Sequence, residues 1–431
     1  MFSPKTHCVF FVTLKFSKNL PNLTENSPRK SGKKSVFFKA ENRIFMRFCR
    51  LMSAVFRFFS RQKSVDFQLV RTVCQKKNSS KLLKSAYFFF GKKRFTIIFM
   101  RTMKAVLIEK VTAGRDVFLS EVPVPQAVNG WVPVKVVAFG MNHSEKILRL
   151  SEINADYIQK PVIPGIECVG IVEEAAKNGS SRFKTGDKVA AFMGGMGRSF
   201  NGSYAQYALL PESRVFKIEN CANFLTWTEA ACVPETYFTA WGSLFECLSL
   251  RPSDKLLIRG ATCALGYAAI QIAKKTGCAV TASTHKEEKL ELLSDADEAL
   301  LDEGNLRGKA GGFTKVLDLV GAATLHDSLM CASLGGVVCV TGTLGGVFAL
   351  DDFNPIKLIP NGVYLTSFHS NWPDQKTVSA IFDFLTENHL KPRVGKIFDF
   401  ENIKEACVAQ DEGQVNGKIA VRVSAESEEL I

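Results

Sequence analysis

Lys255-Leu-Leu-Ile-Arg-Gly-Ala-Thr-Cys-Ala-Leu-Gly266 takes a short apolar run into a turn of small residues and leaves it as an amphipathic segment. The spacing predicts a strand, a tight turn and a helix. On the helix side Leu265, Ala268, Ala269, Ile272 and Ala273 recur at i, i+3, i+4, i+7 and i+8, the stripe that a sheet-packed helix presents, and Gly277 is the expected stop. Small side chains in the turn let backbone amides approach a pyrophosphate, whose charge is favoured at a helix N-terminus, while Gly266 permits close helix–strand packing. Gly260, Ala261, Thr262, Cys263, Ala264, Leu265 and Gly266 are therefore the candidate phosphate turn of a dinucleotide site.

The match to G-x-G-x-x-G is imperfect, because alanine and cysteine stand at the first two glycine positions of Ala261 to Gly266, and a bare strand-turn-helix with no cofactor is the competing reading. A second strand, Ala279 to Ala282, supports the cofactor. About 20 residues past the turn, where NAD sites place a carboxylate for the ribose 2′-hydroxyl, the chain has Ser283, Thr284, His285 and Lys286, and no acid before Glu287. Hydroxyls and positive charge suit a 2′-phosphate and hence NADP(H); a basic solvated loop is the alternative.

Strand and helix keep alternating through Lys315 to Val320, a helix from Leu325 to Ser333, Val337 to Gly342 and Val363 to Phe368. Such alternation predicts a doubly wound, six-stranded parallel sheet covered on both faces. Loops at the carboxyl ends of its strands should line the ligand crevice, which makes Val320, Gly342, Thr343 and Leu344 further cofactor candidates.

The net charge of +13 conceals two different halves. Residues 1–102 hold 23 Lys+Arg against 3 Asp+Glu, whereas the remainder holds 32 against 39. The first stretch also carries 17 of the 34 phenylalanines, in runs such as Tyr87-Phe-Phe-Phe90, without sustained helical or strand periodicity. Residues 1–102 are therefore expected to be a disordered basic extension rather than a domain. A targeting presequence, a tail for nucleic acid or anionic membrane, and translated AT-rich upstream DNA, with Met100 or Met103 as the true start, all remain open. Lys92-Lys-Arg94 interrupts the best apolar stretch before it reaches the roughly 18 residues of a membrane helix, so the body is expected to be soluble.

From Met103 onward 329 residues remain, enough for two sizeable cores. Lys104 to Glu109, Trp131 to Val137, Glu167 to Glu173, Lys188 to Phe192 and Tyr204 to Leu209 read as strands of an all-β, barrel-like domain. Met103-Lys-Ala-Val, Ile163-Pro-Gly-Ile-Glu-Cys-Val-Gly170, Gly186-Asp-Lys-Val-Ala190, Gly202-Ser-Tyr-Ala-Gln-Tyr207, Pro234-Glu-Thr-Tyr-Phe-Thr-Ala240 and Gly417-Lys-Ile-Ala-Val421 stand in an order and spacing that resemble the medium-chain dehydrogenase/reductase superfamily, and more closely its zinc-independent quinone oxidoreductase branch. The resemblance spans Met103 to about Val423. It implies an α/β chain with a GroES-like β-barrel catalytic domain at 103–225, a Rossmann NADP-binding domain with a doubly wound parallel sheet at 226–368, and a C-terminal segment, 369–431, that returns to the catalytic domain.

Where the zinc enzymes of the superfamily have Gly-x-Cys-His and Gly-His-Glu, this chain has Gly140-Met-Asn-His143 and Gly165-Ile-Glu167, so two ligands are missing and no metal is expected. His143 reads as a polar loop residue. The body's cysteines, at 168, 221, 232, 247, 263, 278, 331, 339 and 407, form no C-x-x-C; they read as small buried residues in a reducing, cytoplasmic setting. Without a Lewis acid, hydride must go to an acceptor that is already electrophilic, a quinone or an α,β-unsaturated carbonyl. By resemblance Asn142 faces the nicotinamide and the reacting carbonyl, Thr239 lines the cofactor, and Tyr157 is a candidate donor to the substrate oxygen. For Asn142 a turn-capping amide is the competing reading, and for Tyr157 a plain surface or core tyrosine. The expected protein is an NADPH-dependent, zinc-independent reductase of small quinones or enones, a homodimer with no nucleic-acid or membrane partner; the alternative is an NADPH-binding protein of little turnover with a structural role.

Overall fold

The computed structural model describes residues 101–176, 181–218 and 224–425 in full, and residues 85–91 and 94–100 by their backbone. In the basic N-terminal stretch Ser85–Gly91 pairs antiparallel with Arg94–Met100. Sequence reading did not anticipate this ribbon, since its runs do not alternate; aromatic and β-branched residues favour strands even so. Residues 1–84 of the expected extension lie outside the described residues.

From Met103 the chain forms one unit built on two large sheets, and Thr102–Val106 and Leu119–Pro123 pair as a further, two-stranded sheet. The long strand Trp131–Met141 is the hub of the first, pairing with Glu167–Val172, with Tyr207–Pro211 and, from the far end of the chain, with Lys418–Arg422. Across this sheet the order is Val394–Asp399, Lys418–Arg422, Trp131–Met141, Glu167–Val172, Lys188–Phe192 and Val215–Lys217. Successive residues of the hub strand serve different cores. Val132, Val134 and Val136 pack with Tyr204 and Phe400 inside the barrel, while Val137 packs with Trp227, Phe238 and the core of the second sheet. A strand buried on both faces has little polar side to show, and Lys135 is the one charged residue between Trp131 and Met141.

The second sheet is entirely parallel, in the order Glu298–Leu301, Ala279–Thr284, Lys255–Arg259, Phe313–Asp318, Ala332–Val340, Tyr364–Ser367. In chain order that is 3-2-1-4-5-6, the doubly wound Rossmann arrangement, with its reversal between Lys255–Arg259 and Phe313–Asp318. Helix Ala264–Thr276 follows the first of these strands and ends at Gly277, whose φ of 92° is left-handed. The third strand escaped sequence reading: Glu298-Ala-Leu-Leu301 has no β-branched residue, half of it is exposed, and its intrinsic preference is helical.

Candidate active site

The candidate phosphate turn lies at the sheet's reversal point. A Cβ on Gly266 would stand 2.2 Å from the carbonyl oxygen of Ala261, so only glycine lets the helix start this close to the turn. Cys263 caps that helix, its Sγ accepting from Gly266 N at 3.4 Å. The turn is tied to the second strand. Ala261 N donates to Ser283 O at 2.8 Å, Gly260 N to Ser283 Oγ at 3.4 Å, and Thr262 Oγ1 lies 3.0 Å from Thr284 Oγ1. Ser283 and Thr284 are fully buried, whereas His285 and Lys286 are exposed. Ser283 and Thr284 thus brace the turn from beneath, and His285 and Lys286 are the members of that cluster open to solvent. Leu344 N donates to Leu319 O at 3.2 Å, which holds the Gly342-Thr343-Leu344 loop beside Val320. A helix N-terminus, a glycine-limited close approach and an open basic corner fit a nicotinamide dinucleotide.

At the carboxyl end of strand Lys255–Arg259 lies an ion network that sequence reading missed. Arg259, fully buried, reaches Asp302 at 2.7 and 2.9 Å and Asp327 at 2.8 Å. Asp318 accepts from Val320 N at 2.8 Å and Gly321 N at 2.9 Å, fixing the loop across the reversal. The available signal was an arginine inside an apolar strand, since a buried charge demands partners.

On the barrel side Asn142 follows the hub strand and precedes helix His143–Leu150. Its Nδ2 donates to Glu167 Oε1 at 2.8 Å, and its Oδ1 accepts from Lys418 Nζ. Lys418 Nζ also lies 2.7 Å from Glu167 Oε1 and donates to Thr236 Oγ1 at 2.8 Å. Glu167 Oε2 accepts from Glu235 N at 2.9 Å, and Thr239 Oγ1 donates to Glu235 Oε1 at 2.9 Å. From there Ser243 Oγ donates to Thr239 O at 2.7 Å and meets Thr341 Oγ1 at 2.9 Å, at the carboxyl end of strand Ala332–Val340. An unbroken polar run therefore joins Asn142 to the carboxyl end of the Rossmann sheet. Glu145 completes the cluster, accepting from Asn142 N at 2.7 Å and Ile166 N at 3.0 Å.

Burial governs the charges here. It pushes the Glu145 carboxyl up to about 7, against the opposing backbone hydrogen bonds and Lys418. It also raises Glu235, with Lys418 again opposing. For Lys418 burial favours the neutral amine, yet Glu167 and Glu235 prevail and hold its pKa above the usual lysine range. Lys418 is thus an ammonium, 4% exposed, inside the protein. Nothing in Gly417-Lys-Ile-Ala-Val421 by itself assigns its lysine a role; the signal is a charge opening a buried strand.

This donor set does not fit a zinc ion. Ile166 offers no donor atom, and the Asn142 oxygen already holds an ammonium, which would repel a divalent cation. His143 is exposed at the helix start. Tyr157 is not brought to the cluster: it is 65% exposed and its hydroxyl donates to Glu152 Oε1 at 2.7 Å. Glu152 pairs with Arg198, which in turn binds Ser144 Oγ at 2.8 Å, so Tyr157 reaches the Asn142 turn only through three side chains.

A barrel joined to a Rossmann sheet, with a polar run reaching the carboxyl end of that sheet, is the architecture of the medium-chain oxidoreductases, a class that binds nicotinamide cofactors. Residues 128–220 match the alcohol dehydrogenase GroES-like domain and residues 294–421 the zinc-binding dehydrogenase family. Quinone oxidoreductase of Rattus norvegicus is 30% identical over 303 residues, covering 67% of this chain and 87% of its own. The solved quinone oxidoreductase from Coxiella burnetii superposes with a TM-score of 0.64 at 20% identity, covering 75% of this chain and all of its own. A mycobacterial protein solved in complex with NADPH superposes at 0.65 and 21% identity, covering 74% of this chain and all of its own. The chain belongs to the quinone oxidoreductase family of the medium-chain dehydrogenases/reductases.

Proposed function

We propose that this chain is an NADPH-dependent, zinc-independent reductase of small quinones or α,β-unsaturated carbonyls. The observation that carries the reading is the donor set of the barrel cluster: an amide at 142, an alkyl chain at 166 and the Lys418 ammonium offer hydrogen bonds and fixed charge but no Lewis acid. An acceptor suited to such a site must be electrophilic before it binds. A bound nicotinamide supplies the hydride; the protein orients the acceptor, excludes water and meets the charge that develops on its oxygen. For NADPH over NADH the support is the exposed His285 and Lys286 after strand Ala279–Thr284, with no carboxylate before Glu287.

Strand Tyr364–Ser367 is an edge of the Rossmann sheet, with Tyr364, Leu334 and Ile356 exposed, the last at 92%, and a second copy pairing edge to edge would cover them. No helix among the described residues is long and apolar enough to cross a membrane. We take the setting to be cytoplasmic, with small-molecule substrates and neither nucleic acid nor membrane as partner. Loss of NADPH absorbance with a panel of quinones and enones tests the activity. A chain that binds NADPH and reduces none of them would instead be a binding component.

A further inference from the structure

The amide of Asn142 is held at both ends by opposite charges. Its orientation is fixed by chemistry: Lys418 can only donate, so it meets Oδ1, and Glu167, beside an ammonium, only accepts, so it meets Nδ2. One Nδ2 proton is thereby used and one is left. Asn142 is partly exposed, whereas Glu167 and Lys418 behind it are sealed from water, so the spare proton belongs to the one member of the trio that a ligand can touch. A cation on an amide oxygen draws electron density toward that oxygen and strengthens the amide's remaining N–H as a donor.

We propose that Lys418 is a positioning residue for reduction: its ammonium, braced by Glu167, orients and polarises the Asn142 amide so that the second Nδ2–H is presented to the acceptor oxygen that gains charge. This rests on the reductase reading above. In an enone the hydride forms the new C–H bond at the β-carbon and the π electrons move to the carbonyl oxygen. The enolate then takes a proton from water at the α-carbon, while NADPH is oxidised to NADP+. The Asn142 amide gives a hydrogen bond throughout and transfers no proton. Lys418 acts through it and touches neither substrate nor cofactor.

Lys418→Met leaves Glu167 buried and unpaired, and folding could fail for that reason alone. Lys418→Met with Glu167→Gln removes both charges together, which proteins tolerate far better. In that double variant we expect an unchanged melting profile, an NADPH dissociation constant within about threefold of wild type, and a KM for the acceptor changed little. We expect kcat to fall about tenfold to a hundredfold, at and below the low end of the loss for one oxyanion donor. Independently of turnover, the Asn142 side-chain amide, assigned in a 15N spectrum by its absence in Asn142→Ala, should shift upfield in the double variant. A folded double variant with wild-type kcat, or an unmoved amide resonance, overturns the proposal. Should wild-type protein bind NADPH yet reduce no acceptor, the reductase reading fails and the amide resonance alone decides whether Lys418 polarises Asn142.

Discussion

Lys418 and Glu167 lie on strands that flank the hub strand, and their side chains meet 2.7 Å apart directly over Gly140. A Cβ at Gly140 would stand 2.6 Å from Glu167 Oε1, 2.6 Å from Lys418 Cε and 2.7 Å from the Ala231 carbonyl oxygen. The glycine is a hole in the strand through which the ion pair closes. None of these atoms is the free end of a loose side chain, since both partners are locked in the pair and the third is backbone.

Gly140→Ala should therefore destabilise the protein by roughly 1–3 kcal/mol, the usual cost of overpacking. Urea unfolding of the two proteins measures it. A difference under about 0.5 kcal/mol, the ordinary scatter of harmless surface changes, would show that the strands yield and that the pair does not depend on the gap.

Glu145 gives a pH dependence with a definite sign. Its folded pKa of about 7 exceeds the unfolded value of 4.5, so the folded chain holds the extra proton between them. Stability contributed by this group is complete below pH 4.5 and is lost as pH rises to 7, by roughly 2–3 kcal/mol. Glu145→Gln cannot ionise and should flatten that slope. Unfolding free energies at acid and neutral pH test it: a wild-type decline no steeper than that of the variant refutes the assignment.

The Rossmann half was legible because its signals are local: an apolar run, a small-residue turn, a helical stripe and a terminal glycine sit within about one supersecondary unit. Its third strand was not, because Glu298–Leu301 pairs through backbone bonds to Thr281–Thr284 rather than through a β-favouring composition. The barrel cluster was legible in part. Asn142 and Glu167 stood in recognisable motifs, but their meeting with Lys418 joins residues 276 positions apart in the chain, and no spacing rule reaches that far. Tyr157, which residue type alone left between a substrate donor and a plain surface or core tyrosine, stands exposed and bound to Glu152.

Cofactor choice should follow Lys286 in particular. Ser283 and Thr284 are spent on the phosphate turn, so the exposed ammonium is left to meet a 2′-phosphate. NADPH should bind at least about tenfold tighter than NADH, equivalent to roughly 1.4 kcal/mol of charge-assisted bonding. Lys286→Ala should remove most of that margin and leave NADH affinity as it was. Equal dissociation constants in wild-type protein, measured by fluorescence titration, would defeat this account.

Metal removal offers a separate check on the Asn142 environment. With an ammonium on the amide oxygen and isoleucine at 166, purified protein should carry far less than one zinc per chain and keep its activity after dialysis against a strong chelator. Stoichiometric zinc lost together with activity would mean that Lys418 leaves its place and that the cluster rearranges around a cation.

The charge contrast along the chain sets the final expectation. Residues 1–102 carry 23 basic against 3 acidic residues, a self-repelling composition with little to gain from compaction. Ordering each residue costs about 1–2 kcal/mol of backbone entropy, which has to be recovered from buried surface. The unit from Met103 buries surface from its first residues: Met103, Ala105 and Val106 are buried, and Val106 N donates to Tyr204 O at 2.9 Å. Every residue assigned above to the phosphate turn, the polar run and the Asn142 cluster comes later still. Removing residues 1–102 should accordingly shift Tm by no more than a few degrees and leave NADPH affinity unchanged. Should the shortened protein precipitate or lose its cofactor, the N-terminal stretch contributes to the fold, and the cores built from Met103 onward are insufficient without it.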